Sequence, residues 1–165
     1  GASYWFAFGL LYDVSGHDSY ELGHYGQGAG IHLSVGSLID RMGEDSYYGR
    51  RGPSQGCAHD WAVGFFIDGG GPDYYSADGI AWGQGNANGA GFFIDYSGSD
   101  VYGGKTSSQV QGTASPARGY GGLGAFIDLG GDDRYIQGQG RNNREWVKGF
   151  YGFGIDCQLT DEKEK

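Results

Sequence analysis

One unit recurs along the whole chain. A glycine and three mostly apolar residues lead into D-x-x-G-x-D-x-Y, as in Gly91-Phe92-Phe93-Ile94-Asp95-Tyr96-Ser97-Gly98-Ser99-Asp100-Val101-Tyr102. The first aspartate of each copy is Asp13, Asp40, Asp68, Asp95 and Asp128; the second, five residues on, is Asp18, Asp45, Asp73, Asp100 and Asp133. The glycine between them is Gly16, Gly43, Gly71, Gly98 and Gly131, and the tyrosine is Tyr20, Tyr47, Tyr75, Tyr102 and Tyr135. A unit this short cannot bury its apolar side alone, so neighbouring copies must stack.

Successive first aspartates are 27, 28, 27 and 33 residues apart, with 28 more to Asp156. The units then fall at 9–35, 36–63, 64–90, 91–123 and 124–151 of a single domain, 1–165. The long fourth spacing is expected as a side loop within 105–122, which a repeat stack tolerates. Residues 152–165 read as a degenerate C-terminal cap. There Asp156 and Asp161 keep the aspartate spacing, Leu159 and Lys163 replace glycine and tyrosine, and a charged run closes the chain. Charge at that end would blunt an open β edge. A second marker, Gln-Gly, recurs at Gln27-Gly28, Gln55-Gly56, Gln84-Gly85, Gln111-Gly112 and Gln139-Gly140, and is expected to be a corner with stacked glutamine amides. Gly1 precedes Gly9 by the same eight residues that separate Gly28 from Gly36. The chain is therefore expected to start in mid-repeat, as a piece of a longer repeat protein with an open N-terminal end, and to carry that protein's natural C-terminus.

The 36 glycines argue against helices, where each interior glycine costs roughly 1 kcal/mol. Asp-x-x-Gly is a turn signature, and the aromatic and β-branched residues on either side suit short strands. The expected class is all-β, a parallel β-helix or solenoid of about five coils with about 27 residues each. An array of antiparallel hairpins, as a propeller or prism, stays open beside it, although four-stranded propeller blades use about 40 residues. In a solenoid, like residues stack about 4.8 Å apart. Tyr12, Ile39, Ile67, Ile94, Ile127 and Ile155 would form one ladder, and Leu11, Leu38, Phe66, Phe93 and Phe126 the next. Adjacent strand residues point to opposite faces, so one ladder fills the core and the other meets a loop or a partner.

The aspartates would form two carboxylate columns. Like charges about 5 Å apart repel by roughly 3 kcal/mol at an effective dielectric of 20. Turn capping by backbone N–H groups is one remedy. Calcium between coils, held by Asp13, Asp18, Asp40, Asp45, Asp68, Asp73, Asp95, Asp100, Asp128 and Asp133, is the other, because calcium takes oxygen ligands. The chain resembles bacterial tandem-repeat β-solenoids over roughly residues 9–156, on its D-x-x-G-x-D-x-Y repeats. Locally, Gly130-Gly131-Asp132-Asp133-Arg134-Tyr135 is similar to half of the RTX nonapeptide G-G-x-G-x-D-x-U-x, and Gly98-Ser99-Asp100-Val101-Tyr102 to its end. That local resemblance covers about six residues of each repeat and implies a calcium-bearing turn, on a spacing that departs from the RTX β-roll.

The formal charge is -9, without basic clusters, which argues against nucleic acid and anionic membrane as partners. No apolar run is long enough to span a bilayer. Ser-His-Asp order, HExxH, CxxC and phosphate-loop motifs are absent, and His17, His24, His32 and His59 share no repeat position. Cys57 and Cys157 sit at different repeat positions and are not expected to pair. Tyr20, Tyr47, Tyr75, Tyr102 and Tyr135 would stack inside a solenoid, or offer a sugar-stacking platform if they faced solvent. Trp61, Trp82 and Trp146 divide in the same way between packing and glycan contact. Periodic aspartates differ from a catalytic site, which breaks periodicity in one place; Lys105 and Arg118 in the fourth unit are the nearest break. The expected function is a non-catalytic structural or interaction module of an exported or cell-surface bacterial repeat protein. Its partners would be the rest of that protein or other subunits. A polysaccharide-binding or polysaccharide-degrading β-helix protein is the alternative.

Overall fold

A computed structural model describes residues 1–104, 111–136, 138, 140–149 and 151–159. The described residues hold strands and turns and no helix. Three sheets run side by side along a β-solenoid. The first contains Ser3–Tyr4, Gly30–Ile31, Ala58–His59, Gly85–Asn86 and Ala114–Ser115. The second contains Phe8–Tyr12, Val35–Asp40, Val63–Asp68, Ala90–Asp95, Leu123–Asp128 and Gly152–Asp156. The third contains Ser19–Leu22, Ser46–Gly49, Tyr74–Ala77, Val101–Gly104 and Arg134–Tyr135. Each coil contributes one strand to each sheet, and these strands pair in parallel with like residue opposite like: Phe66 with Phe93, Ile67 with Ile94, Asp68 with Asp95, Tyr75 with Tyr102. The architecture is therefore the solenoid and not the hairpin array.

Alternation along the second-sheet strands decides which ladder is the core. Leu38, Phe66, Phe93 and Phe126 point inward and are fully buried, while Ile39, Ile67, Ile94 and Ile127 face outward and are half-buried. Tyr47, Tyr75 and Tyr102 enter the same interior from the third sheet with no exposed surface. Phe66 and Phe93 stack at 4.9 Å and Tyr75 and Tyr102 at 5.1 Å, and the two columns meet edge to face, as at Tyr47–Phe66 (4.8 Å, 84°). Offset stacks and edge contacts are the arrangements that ring quadrupoles favour. The strand repeat and the ring stack share one spacing, so register and packing reinforce each other.

The corner before the first sheet is set by Gly28, Gly56, Gly83 and Gly112, all with φ between 66° and 82°. A side chain there would also strike the backbone of the facing second-sheet strand. In the third coil the corner is Trp82-Gly83. Gln84-Gly85 lies two residues beyond it, with Gly85 already in the first sheet opposite Ala58. Trp82 fills the interior that Gln27 and Gln55 occupy in other coils. The Gln27 and Gln55 amides donate to backbone carbonyls and not to each other: Gln55 Nε2 reaches the carbonyls of Tyr47 and Ser76 at 3.2 and 3.3 Å. Gln139 lies outside the described residues, as do Lys105, Asp161 and Lys163. Part of the fourth coil's extra length follows the corner, where Gly112 to Gly124 spans twelve residues and Gly28 to Gly36, Gly56 to Gly64 and Gly83 to Gly91 span eight.

A second corner joins the first sheet to the second. In four coils two successive residues take positive φ there, and neither is glycine: Trp5 and Phe6, His32 and Leu33, Asp60 and Trp61, Ala87 and Asn88. The left-handed region costs a non-glycine residue roughly 1–2 kcal/mol. Inter-coil backbone bonds hold it, such as His32 N–H to the His59 carbonyl at 2.9 Å and Leu33 N–H to the Asp60 carbonyl at 3.1 Å.

The two ends differ. Glu145–Val147 runs antiparallel along the outer edge of Gly152–Asp156. Trp146 lies over Gly154, where the interior aromatic column has lost its ring, and sits 5.7 Å from Phe126. At the N-terminal end Phe8–Tyr12 is an uncovered edge strand.

Candidate functional site

The two aspartate columns run down the interior beside the tyrosines. Asp40, Asp68, Asp95, Asp128 and Asp156 close the second-sheet strands, each no more than 2% exposed. Asp45, Asp73 and Asp100, beyond the turn, are equally hidden. Asp13 and Asp18 belong to the first coil and are half-buried.

The first-column carboxylates divide their oxygens between two tasks. In Asp13, Asp68, Asp95 and Asp128, Oδ1 caps the residue's own turn, as where Gly70 N–H donates to Asp68 at 2.9 Å and Ser97 N–H to Asp95 at 3.1 Å. Asp156 Oδ1 accepts instead from Asn143 N–H at 2.8 Å, and Asp40 Oδ1 is buried without a hydrogen-bond partner. Their Oδ2 atoms meet tyrosine hydroxyls. Tyr20 lies between Asp13 and Asp40 (3.1 and 2.7 Å), Tyr47 between Asp40 and Asp68 (2.9 and 2.8 Å), and Tyr102 between Asp95 and Asp128 (3.3 and 2.7 Å). Tyr75 reaches Asp95 and Tyr135 reaches Asp156, both at 2.7 Å. A phenol carries one proton. Tyr47 therefore donates to one neighbour, and its contact with the other is a hydrogen bond only if that carboxyl brings its own proton.

The second column caps the preceding coil. Asp45 N–H donates to Asp73 Oδ1, Asp73 N–H to Asp100 Oδ1, and Asp100 N–H to Asp133 Oδ1, at 2.6–2.7 Å. The series ends on a neutral amide, where Asp133 N–H donates to Asn142 Oδ1 at 2.8 Å. The Oδ2 atoms of Asp45, Asp100 and Asp133 are buried without a hydrogen-bond partner. The turn glycine makes room for this column, since a Cβ on Gly43 or Gly98 would run into the carboxylate of Asp45 or Asp100.

Burial disfavours the charged form throughout. It pushes Asp73 and Asp100 up to about 8, helped by Asp68 beside the first and Asp73 beside the second. It pushes Asp128 up to about 7 and Asp133 to about 6, and drives Asp95 well above the usual carboxylate range, with Asp100 adding to the effect. The phenols of Tyr47, Tyr75 and Tyr102 move up through burial and the adjacent carboxylates, so they remain protonated donors. Among the described residues, the ion pairs are His32–Asp60 and Arg118–Asp60, both away from the columns.

The columns bring three sets of carboxylates together: Asp45, Asp68 and Asp73; Asp73, Asp95 and Asp100; Asp100, Asp128 and Asp133. In each set one oxygen per residue lies within 4.8 Å of the other two. Asp13, Asp18 and Asp40 join no such set among the described residues. Tyr47, Tyr75 and Tyr102 have their ring faces covered by one another and by Tyr20 and Tyr135, so these three offer no face to an outside ligand. Trp82 is buried, Trp146 plugs the capped end, and Trp61 is exposed. Both cysteines are free.

A cluster at the second corner carries no motif in the sequence. His32 Nδ1 meets Asp60 Oδ2 at 2.9 Å, Arg118 binds the same oxygen, and His59 lies alongside. His32 and Asp60 share one corner position, a relation that only the left-handed pair reveals. No protein-family model, curated protein or solved structure matches the chain. Its own geometry defines the class, a parallel β-solenoid with an internal tyrosine–aspartate ladder.

Proposed function

We propose that the chain is a non-catalytic structural and interaction module, of the kind carried by exported or cell-surface repeat proteins. It joins a further coil of the same repeat through its N-terminal edge. The observation that carries this reading is the contrast between the ends. One is closed by Glu145–Val147 and Trp146; the other exposes Trp5, Phe6, Phe8 and Leu10 by 52–78%. Leu11 and Tyr20 are half-buried where their counterparts Leu38 and Tyr47 are fully buried, so one added coil would complete both columns. Asp18 lacks, among the described residues, the backbone N–H that Asp45, Asp73, Asp100 and Asp133 each receive from the coil before. An unpaired strand edge is a template for strand addition. A non-catalytic role also fits the repeated carboxylates, which from Asp40 to Asp133 are too deeply buried to reach a glycosidic bond.

Sedimentation velocity over a wide concentration range tests the edge. Self-association that Leu10→Lys abolishes, with the circular dichroism unchanged, is expected. A chain that stays monomeric throughout, or a variant that associates equally well, contradicts the reading.

A second reading, polysaccharide binding, is favoured by one groove. Phe6, Phe8, Leu33, Val35, Trp61 and Val63 line an open strip across three coils, with the Phe6 and Trp61 rings exposed. Such rings can stack on sugar faces. Glycan-array binding that Trp61→Ala removes would support it, and an array without signal would set it aside.

A further inference from the structure

We infer that the three interior carboxylate sets are inter-coil sites for a divalent cation, calcium by its preference for protein oxygen ligands, with one ion per set. Three observations meet here, independently of the docking role. The first is spacing. Three oxygens within 4.8 Å of one another place a central ion at most about 2.8 Å from each (4.8 Å divided by √3). Calcium takes oxygens at about 2.3–2.6 Å, inside that limit, and accepts sites built largely from protein oxygens, whereas magnesium keeps several waters of its own.

The second is a missing partner. Asp100 is 1% exposed and belongs to two of the sets, yet its Oδ2 has no hydrogen-bond donor; Asp45 Oδ2 and Asp133 Oδ2 are in the same position. Buried polar atoms are normally satisfied, and an unpartnered carboxylate oxygen inside an acidic cluster faces repulsion that, without a cation, only protonation relieves. No lysine or arginine pairs with these aspartates among the described residues.

The third is charge. Consecutive sets share Asp73 and Asp100, so each coil adds two carboxylates, one from each column. One divalent ion per coil neutralises that pair. Where the column ends, Asn142 takes over the capping bond to Asp133 N–H without a charge, and no further set forms among the described residues. The tyrosine hydroxyls already serve the first column, so the cation's distinct contribution is to the stranded Oδ2 atoms of the second.

The probe is calcium itself, with terbium as its luminescent substitute, on the intact chain after chelation and desalting. Three ions per chain are expected by calorimetry. Terbium emission should be excited through the tyrosines, since Tyr75 and Tyr102 touch Asp95. Asp100→Asn keeps the acceptor for Asp73 N–H, as Asn142 does for Asp133, but removes a charge common to two sets. It should bind one ion, at Asp45, Asp68 and Asp73. In EDTA it should melt no lower than the parent; in calcium it should melt lower. Asp132→Asn, at an exposed turn residue, should bind three. If Asp100→Asn fails to fold, the parent's melts in calcium and in EDTA decide alone. Identical melts with no terbium signal overturn the proposal, and so does binding lost in Asp132→Asn but retained in Asp100→Asn.

Discussion

At the scale of single residues, the internal ladder rests on oxygen atoms that share too few protons. Tyr75 shows what each phenol contributes, because its buried hydroxyl reaches Asp95 at 2.7 Å and Asp73 at 3.3 Å. Tyr75→Phe keeps the ring stack and removes only these bonds. A loss of about 1–3 kcal/mol is expected, the cost of unsatisfying a buried acceptor, read as a lower denaturant midpoint with an unchanged slope. In EDTA, the protonation of the second column sets the pH dependence. The folded-state values of about 8 for Asp73 and Asp100 and about 6 for Asp133 lie above the usual carboxylate value near 3.8. The folded chain thus binds more protons than the unfolded chain between these limits. Stability should be greatest near pH 4 and fall as pH rises towards 8, followed by thermal melts in chelator. A stability that climbs over that range would mean the carboxylates are ionised and paired. The repeated aspartates and tyrosines were legible as ladders from their spacing alone. Their hydroxyl–carboxylate contacts were not, because a period says which residues align and not which way each side chain turns.

At the scale of the element, corners show why a literal motif misleads. Gln84-Gly85 matches the Gln-Gly string, yet the corner of that coil is Trp82-Gly83, because the backbone selects a glycine at positive φ and not its neighbour. Gly56→Ala should therefore cost at least about 1 kcal/mol, from the left-handed conformation alone, and more from contact with Phe92 and Phe66. An equilibrium melt that leaves the midpoint unmoved would remove the corner from the argument. The Trp5-Phe6, His32-Leu33 and Asp60-Trp61 corners escaped the sequence reading because glycine is the usual sign of a left-handed turn and none is present. A cap was expected at 152–165, but the part formed by Asn142 and Glu145–Val147 was not, for another reason. The stretch Arg141-Asn142-Asn143-Arg144 reads as a polar loop, and only the fold shows Asn142 completing a carboxylate column and Trp146 covering Gly154. Trp146→Ala should strip that plug and lower stability by about 2–3 kcal/mol, somewhat below the range for a fully buried tryptophan, with the largest rise in hydrogen exchange in Gly152–Asp156.

At the scale of the whole molecule, one translation repeated along an axis accounts for the sheets, the ring stacks and the acidic columns together. Each coil is stabilised by its neighbours, so the free N-terminal coil should exchange fastest and protection should rise toward the centre. The most direct measurement of this register is the pattern of cross-strand amide and α-proton contacts in a nuclear Overhauser spectrum of the isotope-labelled chain. In-register stacking predicts an unbroken series linking Phe66 to Phe93 to Phe126, and Asp68 to Asp95 to Asp128. Backbone contacts joining Phe66 to its own Tyr75 in an antiparallel ladder, with none from Asp68 to Asp95, would contradict it.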